Sequence, residues 1–151
     1  EHPSLSDRLT GYKQALVNAK IPIKNNFIAI DAKYPDRVNG YNSAKKLFSK
    51  NKNITAVFAC NDAMAIGALR YLKDNGYKIP EDVSVIGFDD VEADLMFNPP
   101  LTTIRVPKIE MGVEALKLMV NTLKNKKSIS KKILVPVELI VRESTSNFNK
   151  K

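Results

Sequence analysis

Apolar residues recur at helical spacing in residues 4–19 (SLSDRLTGYKQALVNA), at Leu5, Leu9, Tyr12, Leu16 and Ala19, until Pro22 breaks the pattern in IPIKNN. A first helix is expected there. FIAI (27–30) reads as a short apolar strand ending in Asp31, and the turn around Pro35 leads to a second amphipathic helix carrying Val38, Tyr41, Ala44, Leu47 and Phe48, with Asp36 as its N-cap. TAVFAC (55–60) predicts a second strand ending in Asn61 and Asp62. A third helix, DAMAIGALRYLKDNG, then runs from an Asp62 cap to a stop at Gly76. VSVIGF (83–88) is a third strand that runs into Asp89 and Asp90, and LTTIR (101–105) is a short extended segment inside an irregular stretch that holds three prolines.

Residues 108–126 place Ile109, Val113, Leu116, Val120 and Leu123 on one stripe of a fourth helix. ILVPVELIV (133–141) is β-rich, with Pro136 pointing to an edge strand or a bulge, and the tail from Ser144 to Lys151 is expected to be loose. Helices alternating with continuous apolar strands predict an α/β fold: a three-layer α/β/α arrangement around a mainly parallel sheet. Right-handed crossovers gather the carboxyl ends of such strands on one rim, where open α/β sheets bind ligands. Asp31, Asn61, Asp62, Asp89 and Asp90 fall on that rim. Asp62 opens a helix directly and reads as a cap, whereas the residues after Asp89 are no clean helix start. A carboxylate at Asp89 could accept from two hydroxyls of a polyol while a nearby cation, with Arg8 the candidate, donates.

Composition narrows the chemistry. The 151 residues, 44% hydrophobic and 26% charged, are enough for one domain with a real core. No apolar stretch approaches the roughly 20 residues of a membrane span, and EHPSLSDR has no signal-peptide pattern, so a cytoplasmic location is expected. Cys60 is the single cysteine and His2 the single histidine, which leaves no internal disulfide framework and no zinc cluster. The net charge of +8 comes from lysines spread along the chain and often beside asparagine (KNNF, KNKN, KNKK), a solvated surface rather than a nucleic-acid patch. Nucleophile elbow, phosphate loop, histidine base and GxGxxG loop are all missing from the sequence. The expectation is a binding protein without a cofactor or metal, not an enzyme.

Five motifs in order, RLTGY (8–12), AVFACNDAMAIGAL (56–69), IPEDVSVIGFDD (79–90), PPLTTIRVP (99–107) and PVELIVREST (136–145), resemble the effector-binding region of the LacI/GalR family of bacterial transcription regulators. The resemblance implies one lobe of a type I periplasmic-binding-protein-like fold. Residues 1–105 correspond to the second lobe, 106–132 to a segment whose helix packs on the first lobe, and 133–143 to the returning strand. The resemblance also implies that Arg8, Asn61 and Asp89 contact a small-molecule effector, a sugar in this reading. Tyr34 is the nearest match to an aromatic residue that stacks on the ligand. A homodimer is expected through a patch including Ile66 and Phe97. DNA binding would belong to a helix-turn-helix domain absent from these residues. The alternative is an extracytoplasmic sugar-binding protein serving a transporter, which shares the fold and the polar cleft.

Overall fold

The computed structural model describes residues 3–30, 34–125 and 131–147. Helix α1 spans Pro3–Asn18, α2 Arg37–Lys50, α3 Asp62–Asp74 and α4 Lys108–Asn125. The strands are β1 Ala56–Phe58, β2 Ser84–Ile86, β3 Thr103–Arg105 and β4 Glu138–Ile140. β1 and β2 pair in parallel, with Val57 opposite Val85. Parallel bridges from Ile86 to Thr102 and from Asp89 to Arg105 bring the β3 segment to the other side of β2, and β4 closes antiparallel on β3. The parallel pair β1-β2 and the antiparallel pair β3-β4 are two ladders joined only by these isolated bridges, and the strand after Pro136 pairs on one side, with β3, among the described residues.

The core lies on one side of this sheet. Phe48, Leu69, Leu72, Val83, Val85 and Leu101 pack there, and fully burying a side chain of this size contributes about 1.5–3 kcal/mol. α2 and α3 approach closely because Gly40 and Gly67 face one another's helices. A methyl on Gly67 would stand 2.1 Å from the Arg37 carbonyl oxygen, and one on Gly40 would stand 2.3 Å from that of Met64. The period that put Val38 on the apolar face of α2 overreaches: Val38 is exposed, and Gly40, Ala44 and Phe48 make the contact. On the opposite side of the sheet lies α1, none of whose residues is buried; Tyr12 stacks on Phe58 with ring planes 7° apart.

Two expectations are corrected. FIAI is not a sheet strand: Asn25–Phe27 is a turn of 3-10 helix, followed by extended backbone that makes no ladder with another described segment. Asn26 explains the outcome, because its amide donates to Asn51 Oδ1 at 2.6 Å while Asn51 Nδ2 donates back to the Asn26 carbonyl at 2.9 Å. This reciprocal pair fastens the segment to the end of α2, and four residues offer too few ladder bonds to compete. Asp31 lies outside the described residues. The tail is not loose at its start either. Ser144 is fully buried: its carbonyl accepts from Val85 N, its amide donates to Pro100 O, and its hydroxyl accepts from Thr102 N at 2.7 Å and donates to Val85 O at 2.6 Å. A small polar side chain that bonds the backbone on both sides fits between β2 and the residue-102 segment where an apolar one could not. Residues 148–151 lie outside the described residues.

Candidate functional site

The strand ends do converge. β1 delivers Cys60 and Asn61, β2 delivers Phe88, Asp89 and Asp90, and α1 lays Arg8 across them from the thinly covered face. The Arg8 guanidinium sits 3.8 Å from the centroid of the Phe88 ring, donates from Nη1 to the Cys60 carbonyl, and donates from Nη2 to Asp89 Oδ1 at 3.3 Å. Arg8 precedes Leu9 of the apolar repeat by one residue, so sequence period left its direction open. The aromatic platform settles it, since a cation over a ring gains about 0.5–2 kcal/mol. The alternation of VSVIGF carries a signal for Phe88: two residues beyond Ile86, it falls on the same face, toward α1.

Asp89 and Asp90 occupy different electrostatic worlds. Both have positive φ, 119° and 51°, a strained backbone for non-glycine residues that is characteristic of sites where side-chain direction is dictated. Burial pushes the Asp89 carboxyl above its ordinary range; Arg8 opposes this and the nearby Asp62 reinforces it. Burial alone would raise Asp90 as well, but hydrogen bonds and charge from Arg142 and Arg105 outweigh it and hold that carboxyl below its usual range. Asp90 accepts from Arg142 Nη2 at 2.5 Å and from Arg105 Nε at 2.7 Å, and Arg105 continues to Glu138 at 3.2 Å. Asp90 thus braces β3, through Arg105, against the segment just after β4, through Arg142, as a carboxylate between two cations does. Among the described residues the Asp89 carboxylate has one ion pair, a long one to Arg8 at 3.3 Å, and it is about one-third exposed.

Asp62 is the larger correction. It does not cap α3; Asn61 does, its Oδ1 accepting from Met64 N at 2.8 Å, with an extended backbone suited to the cap position. Asp62 is fully buried one residue later. Its Oδ1 accepts from the Thr103 hydroxyl at 2.6 Å and its Oδ2 from Val91 N at 3.2 Å. Gly87 makes the room, since a Cβ there would stand 2.2 Å from Asp62 Oδ1. Adjacent Asn and Asp both score as caps, so sequence alone could not choose between them.

Asn61 also donates from Nδ2 to the Pro35 carbonyl at 2.9 Å, which ties the exposed Tyr34 segment to the end of β1. Ile66 and Phe97 do come together, but not as a protruding patch: Ile66 is only 3% exposed and sits in a groove of about 410 Å³ with Phe97, Val38 and Tyr41, flanked by Arg37 and Arg70. The close α2–α3 approach at Gly67 is what sinks Ile66. Cys60 is half-buried, and burial pushes its thiol up. No described helix is long and apolar enough to cross a membrane.

Residues 1–145 match the periplasmic binding protein-like domain. Among curated proteins, the chain is 36% identical over 141 residues to the HTH-type transcriptional repressor PurR of Histophilus somni, covering 93% of this chain and 42% of that protein. Among solved structures it superposes on the transcriptional regulator CelR in its cellobiose complex with TM-score 0.86 and 30% identity, over 92% of this chain and 42% of CelR. A LacI family transcriptional regulator from Enterococcus faecium with bound ribose gives TM-score 0.79 and 31% identity, over 93% of this chain and 51% of the other. The chain therefore spans about two-fifths of the length of the curated relative and half or less of the two solved ones.

Proposed function

This chain belongs to the periplasmic binding protein-like domain family as an effector-binding domain of LacI/GalR type, and from that premise we propose that it serves a cytoplasmic, sugar-responsive, DNA-binding transcription regulator. The Arg8–Asp89 pair at the strand rim carries the reading. An exposed carboxylate accepts from two neighbouring hydroxyls while a guanidinium donates to ring and hydroxyl oxygens, the complement of a vicinal diol. CelR and the E. faecium protein hold cellobiose and ribose, both rich in such diols. Asn61 and Tyr34, tied together at the rim through Pro35, complete the candidate ligand contacts.

In this reading residues 1–105 form the second lobe of a clamshell. Residues 106–132 cross to a first lobe, and residues 133–143 return. The exposure of Ile109, Val113, Leu116 and Leu123 along α4, 46–87%, supports a covering lobe of that kind. Sugar between the lobes favours one closure state, and a homodimer assembled through the Ile66–Phe97 groove passes the difference to helix-turn-helix heads on DNA. The repressor relative favours this over a transporter's binding protein and over an enzyme. One lobe supplies one wall of the cleft, so the isolated chain binds sugar weakly. Calorimetry of the full-length protein against cellobiose, ribose and other sugars tests the proposal. It predicts saturable binding for at least one sugar and release of operator DNA or tighter hold on it; no binding across the panel would overturn it.

A further inference from the structure

The turn that presents Asp89 is held from beneath by Asp62, through its backbone amide at one end and its carboxylate at the other. Asp62 N donates to the Phe88 carbonyl at 2.8 Å, and the Asp62 carboxylate accepts from Val91 N at 3.2 Å. Residues 88 and 91 are the two ends of the stretch in which Asp89 and Asp90 take positive φ. A third bond fixes the clamp itself: the fully buried Thr103 hydroxyl on β3 reaches Asp62 Oδ1 at 2.6 Å, within the space left by Gly87. Asp62 thus joins α3, β2 and β3 directly under the rim, yet none of its polar contacts faces the cleft.

We propose that Asp62 is the positioning residue of the effector site, clamping both ends of the Asp89–Asp90 turn so that Asp89 is aimed at Arg8. The inference rests on the proposed effector role of Asp89, but its geometry is tested without any sugar. Asp62→Ala removes both carboxylate bonds, to Thr103 and to Val91 N, and so frees the Val91 end of the turn while the backbone bond to Phe88 remains. Asp62→Asn keeps the shape, with one amide atom accepting from Val91 N and the other donating to the Thr103 oxygen once that hydroxyl rotates.

The experiment is nuclear magnetic resonance of the isotopically labelled chain, reading the backbone couplings and shifts that report φ at Asp89 and Asp90, and the carboxyl titration of Asp89. D62A is expected to lose the positive-φ signatures and D62N to keep them. In D62N the Asp89 titration moves down, because a neighbouring negative charge has gone. Unchanged turn signatures in a folded D62A overturn the proposal. Where D62A does not fold, the milder truncation Asp62→Ser takes its place, and unchanged positive-φ signatures in a folded D62S overturn the proposal. In the full-length protein, a sugar that binds the wild type is expected to bind D62A at least about tenfold more weakly, with D62N restoring most of the affinity. If no sugar binds even the wild type, the effector reading fails while the resonance result still decides the role of Asp62.

Discussion

Gly67 lets α3 press so closely on α2 that an added methyl would strike the Arg37 carbonyl, whereas α1, across the same sheet, buries no residue at all. α4 is more open still, with Ile109 at 87% exposure. The same contrast recurs at the rim within two consecutive residues. Asp90 faces inward to Arg142 and Arg105, and its charge is satisfied inside the chain; Asp89 faces the open side, with burial raising its carboxyl and Arg8, with Lys108 behind it, opposing. A side that needs no partner carries the stability. In the proposed function the side that is left open carries the recognition.

Substitutions sharpen the contrast, beginning with the largest effect. Leu72→Ala in the closed face, where the side chain is wholly buried, is expected to cost about 2–5 kcal/mol in chemical denaturation. A cost below 1 kcal/mol would mean that the α2–α3 layer is not the stability core. Asp90→Ala follows at about 3 kcal/mol, most of it from the well-buried Arg142, because removing one partner strands the other; the Arg105 pair, half exposed, adds little. The pH dependence has a definite sign. Asp90 has a depressed folded pKa, so its contribution is complete above the unfolded value near 3.9 and is lost as pH falls through the folded value.

Asp89 has the opposite sign. Its raised folded pKa favours the fold at low pH, and that advantage is lost as pH rises through the folded value. Asp89→Asn is therefore expected to leave stability at neutral pH unchanged or slightly higher, while sugar affinity of the full-length protein falls tenfold or more, about 1.4 kcal/mol. Paired thermal unfolding and calorimetry check it, and a destabilised D89N would erase the distinction between the two aspartates. The smallest effect belongs to α4: Ile109→Ala in this chain should change stability by less than about 0.5 kcal/mol.

Periodicity revealed the helices, the strands at 55–60 and 83–88, and the rim on which Asp89 stands, because each depends on spacing along one segment. What it missed depends on contacts between segments. Asn26 and Asn51 override the apolar FIAI pattern with a pair 25 residues apart. Ser144 is buried by backbone groups of β2 and of the Pro100–Thr102 stretch, so its polarity reads as tail in the sequence and as a strap in the fold. Asp62 and Asn61 exchange roles because Thr103, 41 residues on, supplies the partner that makes a buried carboxylate tolerable. The five ordered motifs carried the family assignment through to residue 145. The resemblance singled out Asp89 over Asp90 for the cleft, but the pairing of Asp90 with Arg105 and Arg142, 15 and 52 residues away, lay beyond it.

The most direct test of the open rim is a crystal structure of the full-length protein with the sugar that binds it best. The account predicts adjacent sugar hydroxyls on the Asp89 carboxylate, Arg8 still over Phe88 and donating to the same sugar, and Asp90 unmoved between Arg105 and Arg142. A sugar seated away from Asp89, with the Arg8–Asp89 contact unchanged from the structure described above, would contradict it.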